Sequence, residues 1–254
     1  MDELSRNHYL KMMGLTVWRR RDRPRVAENS LPVDSASEPL SQEAGWAPDP
    51  QDSTARETPV ATGEQPHAQD WQALKQQIAQ CRACDLRAGC TQTVFGVGNP
   101  QADLLVIGEA PGADEDRQGE PFVGRAGQLL NAMLLAMGFK REAVFIANIV
   151  KCRPPNNRDP KPQEALRCEP YLLRQIELIQ PKLILALGRI SAQNLLKSDI
   201  AVGKLRGRVH PFGEQRIPLV VTYHPAYLLR SPEQKGKAWA DLQLALSLLR
   251  SSSP

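Results

Sequence analysis

The chain lacks any apolar run near the roughly 20 residues that a helix needs to span a bilayer. Its N-terminus also lacks the apolar core of a secretory signal peptide. These two absences predict a soluble protein of the cytoplasm, where thiols stay reduced and disulfides are rare. The five cysteines among the 254 residues are therefore interpreted first as ligands or buried side chains, and only weakly as disulfides.

Residues 26–70 have few of the large apolar side chains that a folded core requires, and they contain six prolines. They also hold one arginine against nine acidic residues, a net charge of −8. Such a segment cannot bury enough surface to offset its ordering entropy, so it is predicted to be a disordered acidic linker. It would separate a peptide at residues 1–25, of net charge +4, from a domain at residues 71–254, of net charge +8. A basic domain suggests a polyanionic ligand, although such a charge is also common in proteins that bind no nucleic acid.

Four cysteines carry the strongest chemical signal. Cys81 and Cys84 form a CxxC pair, whereas Cys152 and Cys168 stand far downstream with fifteen residues between them. Four thiolates are enough for a tetrahedral zinc site or an iron-sulfur cluster. A zinc ribbon would have a second tight CxxC pair, which the chain lacks, so an iron-sulfur cluster is favoured. Each downstream cysteine taken alone also fits a small buried apolar residue, and Cys90 is left over.

Short apolar runs alternate with helical patterns from Trp71 onwards. The predicted strands are Ala102–Gly108, Ala143–Val150, Lys182–Gly188 and Pro218–Tyr223. The predicted helices are Trp71–Gln80, Gly124–Met137, Gln163–Ile179, Ile190–Leu196 and Glu233–Leu249, with Pro170 an awkward interruption. This alternation predicts an α/β fold, a three-layer α/β/α sandwich around a four-stranded, mainly parallel sheet. Ligands are then expected at the carboxyl ends of the strands.

The unusual residues fall at those strand ends. The loop GEAPGADEDRQGEPFVGRAG, residues 108–127, combines small residues, carboxylates and an aromatic before a helix N-terminus. Small residues let backbone amides approach a ligand, but an acidic surface loop would look similar. Asn148 ends the second strand and could read the edge of a planar amide such as a nucleobase. His224 ends the fourth strand, where the proline after it would fix its ring at the mouth of the loop; a lone histidine is more often structural.

Taken together, these motifs resemble the iron-sulfur uracil-DNA glycosylases of family 4, found in bacteria and archaea. The resemblance covers roughly residues 75–250 and rests on GEAPG with DED and PFVGRAG, then NIVKCRPPNNR, then HPA, with the four cysteines. It implies a monofunctional hydrolase that flips uracil out of DNA and leaves an abasic site for base excision repair. It also implies a 4Fe-4S cluster held by Cys81, Cys84, Cys152 and Cys168, with a structural task.

The resemblance also implies roles for single residues in the uracil pocket. Phe122 would stack on the flipped base, and Asn148 would read its O4 and N3 edge. Backbone amides near Gly108 and Glu109 would help to hold the base. His224 would donate to uracil O2 as negative charge builds on the leaving group.

The chain departs from the better-known uracil glycosylases at the residue that positions water, because Ala110 stands where they place an aspartate. Glu109 and Glu115 are the candidates for that role here, and Glu115 matches a glutamate of the resembling family's own motif. Asp114 and Asp116 are expected to be solvated.

A related branch traps the sugar through a histidine in a basic RRIH insertion, but here the stretch reads NNRDPK and lacks that histidine. A free abasic product is therefore expected, with His210 on the surface or facing DNA. The segment Tyr227–Leu229 is the expected wedge into the duplex. The candidate phosphate contacts, each of which also fits an ordinary solvated charge, are Arg153, Arg158, Lys204, Arg206, Arg208 and Arg230.

Residues 8–21 form a short apolar cluster ahead of an arginine run, with Tyr9, Leu10, Met13, Leu15 and Trp18. The peptide resembles the N-terminus of the psi subunit of the bacterial replicative clamp loader, which implies docking on that assembly. A helix packed on its own domain and a nonspecific DNA tail are the alternatives. The overall alternative is a replication-associated interaction protein on a glycosylase fold with reduced or no catalysis, and a zinc-bound structural domain is a third possibility. The protein is expected to be a cytoplasmic, nucleoid-associated monomer.

Overall fold

The computed structural model describes residues 7–8, 10–11, 13–15 and 66–251, all of which belong to one compact unit. The predicted linker falls almost entirely outside these residues, as do Tyr9 and Trp18 of the N-terminal peptide. The helix predicted from Trp71 starts at Pro66 in the structure, so its first residues were wrongly assigned to the linker. None of the described helices is long and apolar enough to cross a membrane.

A mixed six-stranded sheet forms the middle layer, in the order β1-β3-β2-β4-β6-β5. Its strands are β1 Val97–Gly98, β2 Leu104–Gly108, β3 Phe145–Asn148, β4 Leu183–Leu187, β5 Val209–Phe212 and β6 Ile217–Thr222. The four central strands are mutually parallel and match the four predicted ones, whereas β1 and β5 pair antiparallel at the two edges. The predicted count of four strands was too low because the edge strands lack a continuous apolar run.

Helices cover both faces of the sheet. They are α1 Pro66–Ala79, α2 Leu86–Gly89, α3 Ala113–Gln118, α4 Arg125–Met137, α5 Pro162–Ile179, α6 Gly188–Leu196, α7 Val202–Leu205, α8 Pro225–Arg230 and α9 Lys235–Ser251. Short 3-10 turns lie at Arg141–Ala143, Pro155–Asn157 and Pro232–Gln234. Pro170 lies inside α5 without ending it, and both Pro170 and Leu166 face solvent, where water can hydrate the carbonyl that loses its amide partner.

Two hydrophobic clusters, one on each face of the sheet, make the core. Successive strand side chains point to opposite faces, so Leu105 and Ile107 join α1, α5 and α6 in the first cluster, and Leu104 and Val106 join α4 and α9 in the second. The central strands are buried on both faces, which explains their continuous apolar sequence. The predicted three-layer sandwich is confirmed.

The N-terminal peptide contributes to the second cluster. Leu10 and Met13 are buried there, and Leu15 packs against it. These side chains therefore lie against the peptide's own domain, as in the second of the three interpretations of residues 8–21.

Truncating Met13, which is fully buried, tests this packing. We expect Met13→Ala to lower the free energy of unfolding by about 2–5 kcal/mol, measured by urea denaturation, because the cavity left behind loses its contacts. The matched control is Leu166→Ala, whose side chain is 63% exposed and should shift stability by no more than about 0.5 kcal/mol. Equal stability of the two variants would show that Met13 does not pack on the domain in solution.

Candidate active site

The ends of β2 and β3 meet at the centre of the candidate site. Gly108 ends β2 directly opposite Asn148, the last residue of β3. A Cβ added to Gly108 would overlap Asn148 Oδ1 and would come within 2.6 Å of the Phe122 ring. Only a residue without a side chain allows these two groups to approach each other over the strand end.

Asn148 carries an unused hydrogen-bonding atom. Its side chain is 2% exposed, and its Oδ1 finds no donor within the part of the chain that the structure describes. A buried acceptor left without a partner costs free energy, so such atoms call for an explanation. A ligand that brings its own donor to Oδ1 would supply one.

Phe122 is held in an unusual backbone conformation. Its φ of 55° lies in the left-handed region, which is uncommon for a bulky residue and costs on the order of 1–3 kcal/mol. Close packing holds this conformation. The Phe122 carbonyl lies so near Gly127 that a Cβ at position 127 would overlap it. The ring lies 5.5 Å from the His224 ring, centroid to centroid and tilted by 31°. The strain thus places an aromatic face beside both Asn148 and His224.

His224 is a neutral donor. It is the N-cap residue of α8, and its Nδ1 accepts a hydrogen bond from the backbone N–H of Ala226 at 3.1 Å. Burial, helped by the positive charge of Arg230, lowers the pKa of His224 to about 4. A neutral imidazole whose Nδ1 accepts must carry its proton on Nε2, so Nε2 is left to donate.

Glu109 follows Gly108 and faces a second carboxyl group. Burial, then the charge of Asp159 and a hydrogen bond with it, raise the pKa of Glu109 to about 7, against the opposing effect of Arg189. Arg189 also forms an ion pair with Asp159. The sequence analysis missed Asp159 and Arg189. Asp159 comes after β3, whose end lies beside that of β2, and this adjacency is the signal that could have found it.

Glu115 organises the loop around the site. One of its carboxylate oxygens accepts from Gly112 N at 3.1 Å, and the other accepts from Val123 N at 3.0 Å and Gly124 N at 3.3 Å. These bonds tie the start of α3 to the start of α4. Glu115 still lines the cleft, but its hydrogen bonds shape the loop that carries Phe122.

The expectation that Asp116 is solvated was wrong. Its side chain is buried and accepts from Thr91 N at 2.9 Å, from Thr91 Oγ1 at 2.9 Å and from Gln92 N at 3.4 Å. It therefore anchors the loop to the segment before β1. Asp114 does lie on the surface, where it pairs with Arg117.

Residues from several loops and from α8 border one cleft of about 470 Å³. The loop after β2 contributes Glu109, the loop after β3 contributes Arg158 and Asp159, and α8 contributes Tyr227 and Arg230. Phe122 and His224 also line it. The predicted pocket residues Gly108, Glu109, Phe122, Asn148 and His224 are thus brought together, with Asn148 buried behind the lining.

Several predicted DNA contacts have other partners. Arg206 donates through Nε and Nη2 to the buried carboxylate of Asp241, both at 2.9 Å, so its guanidinium is already engaged. Arg158 forms a bidentate pair with Glu164, at 2.8 and 2.6 Å. Arg153 Nε donates to the side chain of Asn157, and His210 Nε2 bonds the carbonyl of Leu205 on the far edge of the sheet. Lys204, Arg208 and Arg230 are exposed.

The expected wedge is only partly available. Leu228 is fully buried in the second core cluster, because the helical turn of α8 directs it into the domain. Tyr227 and Leu229, on either side of it, are 36% and 38% exposed. Leu228 is therefore a core residue, and the exposed pair remains on the surface of α8.

Cys81, Cys84, Cys152 and Cys168 line one small pocket between α1, the loop after β3 and α5. Backbone N–H groups point at two of the sulfurs: Ala83 N lies 3.4 Å from Cys81 Sγ and Lys151 N lies 3.3 Å from Cys168 Sγ. Within the described ranges no three His, Cys, Asp or Glu side chains approach closely enough to hold a single metal ion. Burial raises the pKa of Cys152, and Cys90 adds to that shift through a hydrogen bond.

Comparisons with known proteins agree with this geometry. Residues 95–243 match the profile of the uracil DNA glycosylase superfamily. A type-4 uracil-DNA glycosylase of Archaeoglobus fulgidus is 43% identical over 176 residues, 67% of this chain and 88% of that protein. A type-4 enzyme of Thermotoga maritima is 41% identical over 182 residues, 70% of this chain and 93% of its own. A type-5 uracil-DNA glycosylase of Thermus thermophilus is 29% identical over 175 residues, which cover 56% of this chain and 78% of that protein.

The neutral state of His224 predicts a specific dependence of stability on pH. The unfolded chain protonates this residue near pH 6.5, whereas the folded chain does so only near pH 4. Between these values the unfolded state binds more protons at this residue, so the contribution of His224 to the free energy of unfolding should fall as the pH falls from about 6.5 to about 4, opposite in sign to the contribution of Glu109. The slope from this group is at most about 1.4 kcal/mol per pH unit.

Urea denaturation at several pH values measures this contribution. His224→Gln should flatten the slope between pH 6.5 and 4, while the matched variant His210→Gln should keep it. Parallel profiles for the wild type and His224→Gln would mean that the ring is not held neutral by the fold.

Proposed function

Because the chain belongs to the uracil-DNA glycosylase superfamily and, within it, to the type-4 family, we infer that it removes uracil from DNA by hydrolysing the N-glycosidic bond. The protein is an enzyme, a hydrolase of DNA repair, and uracil-containing DNA is its substrate. The observation that carries this function is the buried, unpartnered Oδ1 of Asn148 beside an aromatic face and a neutral histidine donor.

We propose that the flipped uracil stacks on Phe122 and is read by Asn148. The unpartnered Oδ1 would accept from uracil N3–H, and the amide Nδ2 would donate to O4. Cytosine carries an amine at position 4. This amine is a hydrogen-bond donor and would face the Nδ2 group of Asn148, which is also a donor. Burial makes that mismatch costly because water cannot satisfy either group.

We propose that His224 stabilises the departing base through Nε2. As the bond between C1′ and N1 breaks, its electron pair stays on uracil, and negative charge spreads to O2. A neutral donor fixed before the reaction begins favours that charge without donating a full proton. The bond from Ala226 N to Nδ1 keeps the donor in place.

Water completes the reaction at the cationic sugar carbon. Its oxygen bonds to C1′, and the proton that it loses passes to a nearby base or to solvent, while the uracil anion is protonated on release. We propose Glu109 as the residue that orients this water, because its carboxyl lines the cleft and its pKa of about 7 lies near working pH. Glu115, the other candidate, acts in this proposal by fixing the loop that carries Phe122.

We propose a free abasic product, because the loop after β3 offers no histidine to trap the sugar. DNA contacts would come from Arg153, Arg158, Lys204, Arg208 and Arg230, with the exposed Tyr227 and Leu229 inserted into the duplex. Arg206 is left out because it is held by the buried Asp241 away from the cleft, and Leu228 because it is fully buried, whereas Arg158 lines the cleft although it pairs with Glu164. We propose that the protein works as a monomer at the nucleoid in the cytoplasm.

We propose that Cys81, Cys84, Cys152 and Cys168 hold a 4Fe-4S cluster. The fit rests on the shared pocket and on the amides directed at two of the sulfurs, a feature that tunes thiolate ligands. When bound, the cluster would cross-link the segment after α1, the loop after β3 and helix α5.

We propose that residues 8–21 dock on a clamp loader, although the structure already buries two of their apolar side chains. Leu10 and Met13 are buried in the enzyme's own core, so a partner would have to engage the remaining residues. A pull-down comparing the wild-type peptide with its Trp18→Ala variant is the test, and equal binding of both would count against docking.

The glycosylase assay is the direct test of function. Anaerobically purified protein should convert a uracil-containing oligonucleotide to an abasic product that alkali breaks. Asn148→Ala and His224→Ala should each lower the single-turnover rate about 10²–10³-fold, by analogy with removing one preorganised donor. Unaltered rates in both variants would place the reacting pocket elsewhere, and an inactive wild-type protein would reject the proposed function.

Cys90, the fifth cysteine, provides the control variant for a test of the cluster ligands. We expect iron analysis of the purified protein to give about four irons per chain, as a 4Fe-4S cluster requires. Cys168→Ser should lower that content sharply, whereas Cys90→Ser should keep it. Zinc in place of iron, or a loss of iron in Cys90→Ser equal to that in Cys168→Ser, would overturn the assignment of ligands.

A further inference from the structure

Lys151 is the one buried lysine of the described chain, and nothing in the proposed chemistry so far uses it. Its side chain is 2% exposed. Its Nζ donates to the backbone carbonyl of Asn148 at 3.0 Å and to Gln175 Oε1 at 2.6 Å. Gln175 is held in turn by a bond from its Nε2 to the carbonyl of Phe95 at 2.9 Å. Burying a cation is costly because the charge loses its water, and the two fixed acceptors of Lys151 offset part of that cost.

The charge of Lys151 is not offset by a carboxylate. Both of its hydrogen-bond acceptors are neutral oxygens, and none of the ion pairs among the described residues includes it. Its field therefore acts on its surroundings through a medium of low polarity, where charges interact more strongly than in water. The Lys151 ammonium binds the backbone carbonyl of Asn148, the residue proposed to read the base.

We propose that Lys151 is a positioning residue for the leaving uracil: it fixes the strand end that carries Asn148 and supplies positive potential where the base becomes negative. The inference rests on the proposed glycosylase function. His224 would act at O2 from α8, and Lys151 would act from behind Asn148, on the edge of the base that carries O4 and N3. Two preorganised groups would thus favour the anion from two sides.

The same residue faces the cysteine pocket on its other side. The backbone N–H of Lys151 donates to Cys168 Sγ at 3.3 Å. Thiolates holding a cluster would add negative charge close to the site where uracil accumulates its own. The Lys151 ammonium, which is bonded to the Asn148 carbonyl, would offset part of that charge at the leaving group.

Leaving-group dependence tests the role of the charge. Lys151→Met removes the charge but keeps a long unbranched side chain. We expect it to lower the single-turnover rate on uracil about 10–100-fold, less than the loss of a direct donor. The ring of 5-fluorouracil carries negative charge more readily and therefore needs less help from Lys151. The loss of single-turnover rate on this substrate should be clearly smaller.

A second measurement follows the base itself. NMR of isotopically labelled uracil bound to the holoenzyme reports whether N1 is ionised. We expect the N1 pKa of the bound base to rise by about one unit in Lys151→Met, the equivalent of a tenfold change in equilibrium constant. This readout does not depend on turnover.

Control variants separate charge from structure. Lys151→Gln keeps a donor for the Asn148 carbonyl without the charge, and Gln175→Glu places a carboxylate against Lys151 and keeps the lysine, should the Lys151 variants fold poorly. Both should show the same leaving-group signature. Ser191→Ala removes a different buried bond to a strand carbonyl, from Ser191 Oγ to Ile107 O at 2.7 Å, and should not show it.

The outcomes are distinct. A rate loss that is equal for uracil and 5-fluorouracil, with an unchanged N1 pKa, would overturn the inference and leave Lys151 a purely structural residue. An inactive wild-type protein would instead reject the glycosylase function on which the inference rests.

Discussion

The close approach of two strand ends is the constraint on which the site depends. Gly108 and Asn148 are register partners at the carboxyl ends of β2 and β3, and the absence of a Cβ at Gly108 leaves room for the Asn148 amide and the Phe122 ring. The parallel sheet makes these ends adjacent, and the two hydrophobic clusters hold the strands rigidly. A pocket that must distinguish bases by one donor and one acceptor requires such rigidity, because small displacements weaken hydrogen bonds steeply.

The loop after β2 shows how carboxylates can serve architecture rather than chemistry. Glu115 accepts hydrogen bonds from backbone amides at both ends of the loop, including that of Val123 beside the strained Phe122, and Asp116 anchors the loop to Thr91. The acidic sequence of this loop therefore has a structural explanation for two of its members. Glu109 differs because it borders the cleft and faces Asp159; burial first, and then the nearby Asp159 carboxyl, raise its pKa.

The central fold could be predicted from sequence because four apolar runs and their intervening helices leave few arrangements. Most of the pocket residues could also be predicted, since Gly108 and Asn148 end strands and Glu109 and His224 follow them, although their roles, and the place of Phe122, came from the family resemblance. Periodicity could not show that Asp116 and Leu228 are buried, because burial there depends on tertiary contacts with Thr91 and with the second core cluster. The edge strands β1 and β5 are short and partly exposed, so they leave no apolar signature.

The four cysteines of the shared pocket come from two separate parts of the domain's sequence. Cys81 and Cys84 precede the first strand, whereas Cys152 and Cys168 follow the third. During synthesis the first pair leaves the ribosome long before the second, and N-terminal segments generally fold first. The pocket can therefore close only after α5 has been made, which places its completion late in the maturation of the newly made chain and leaves the first thiols exposed until then.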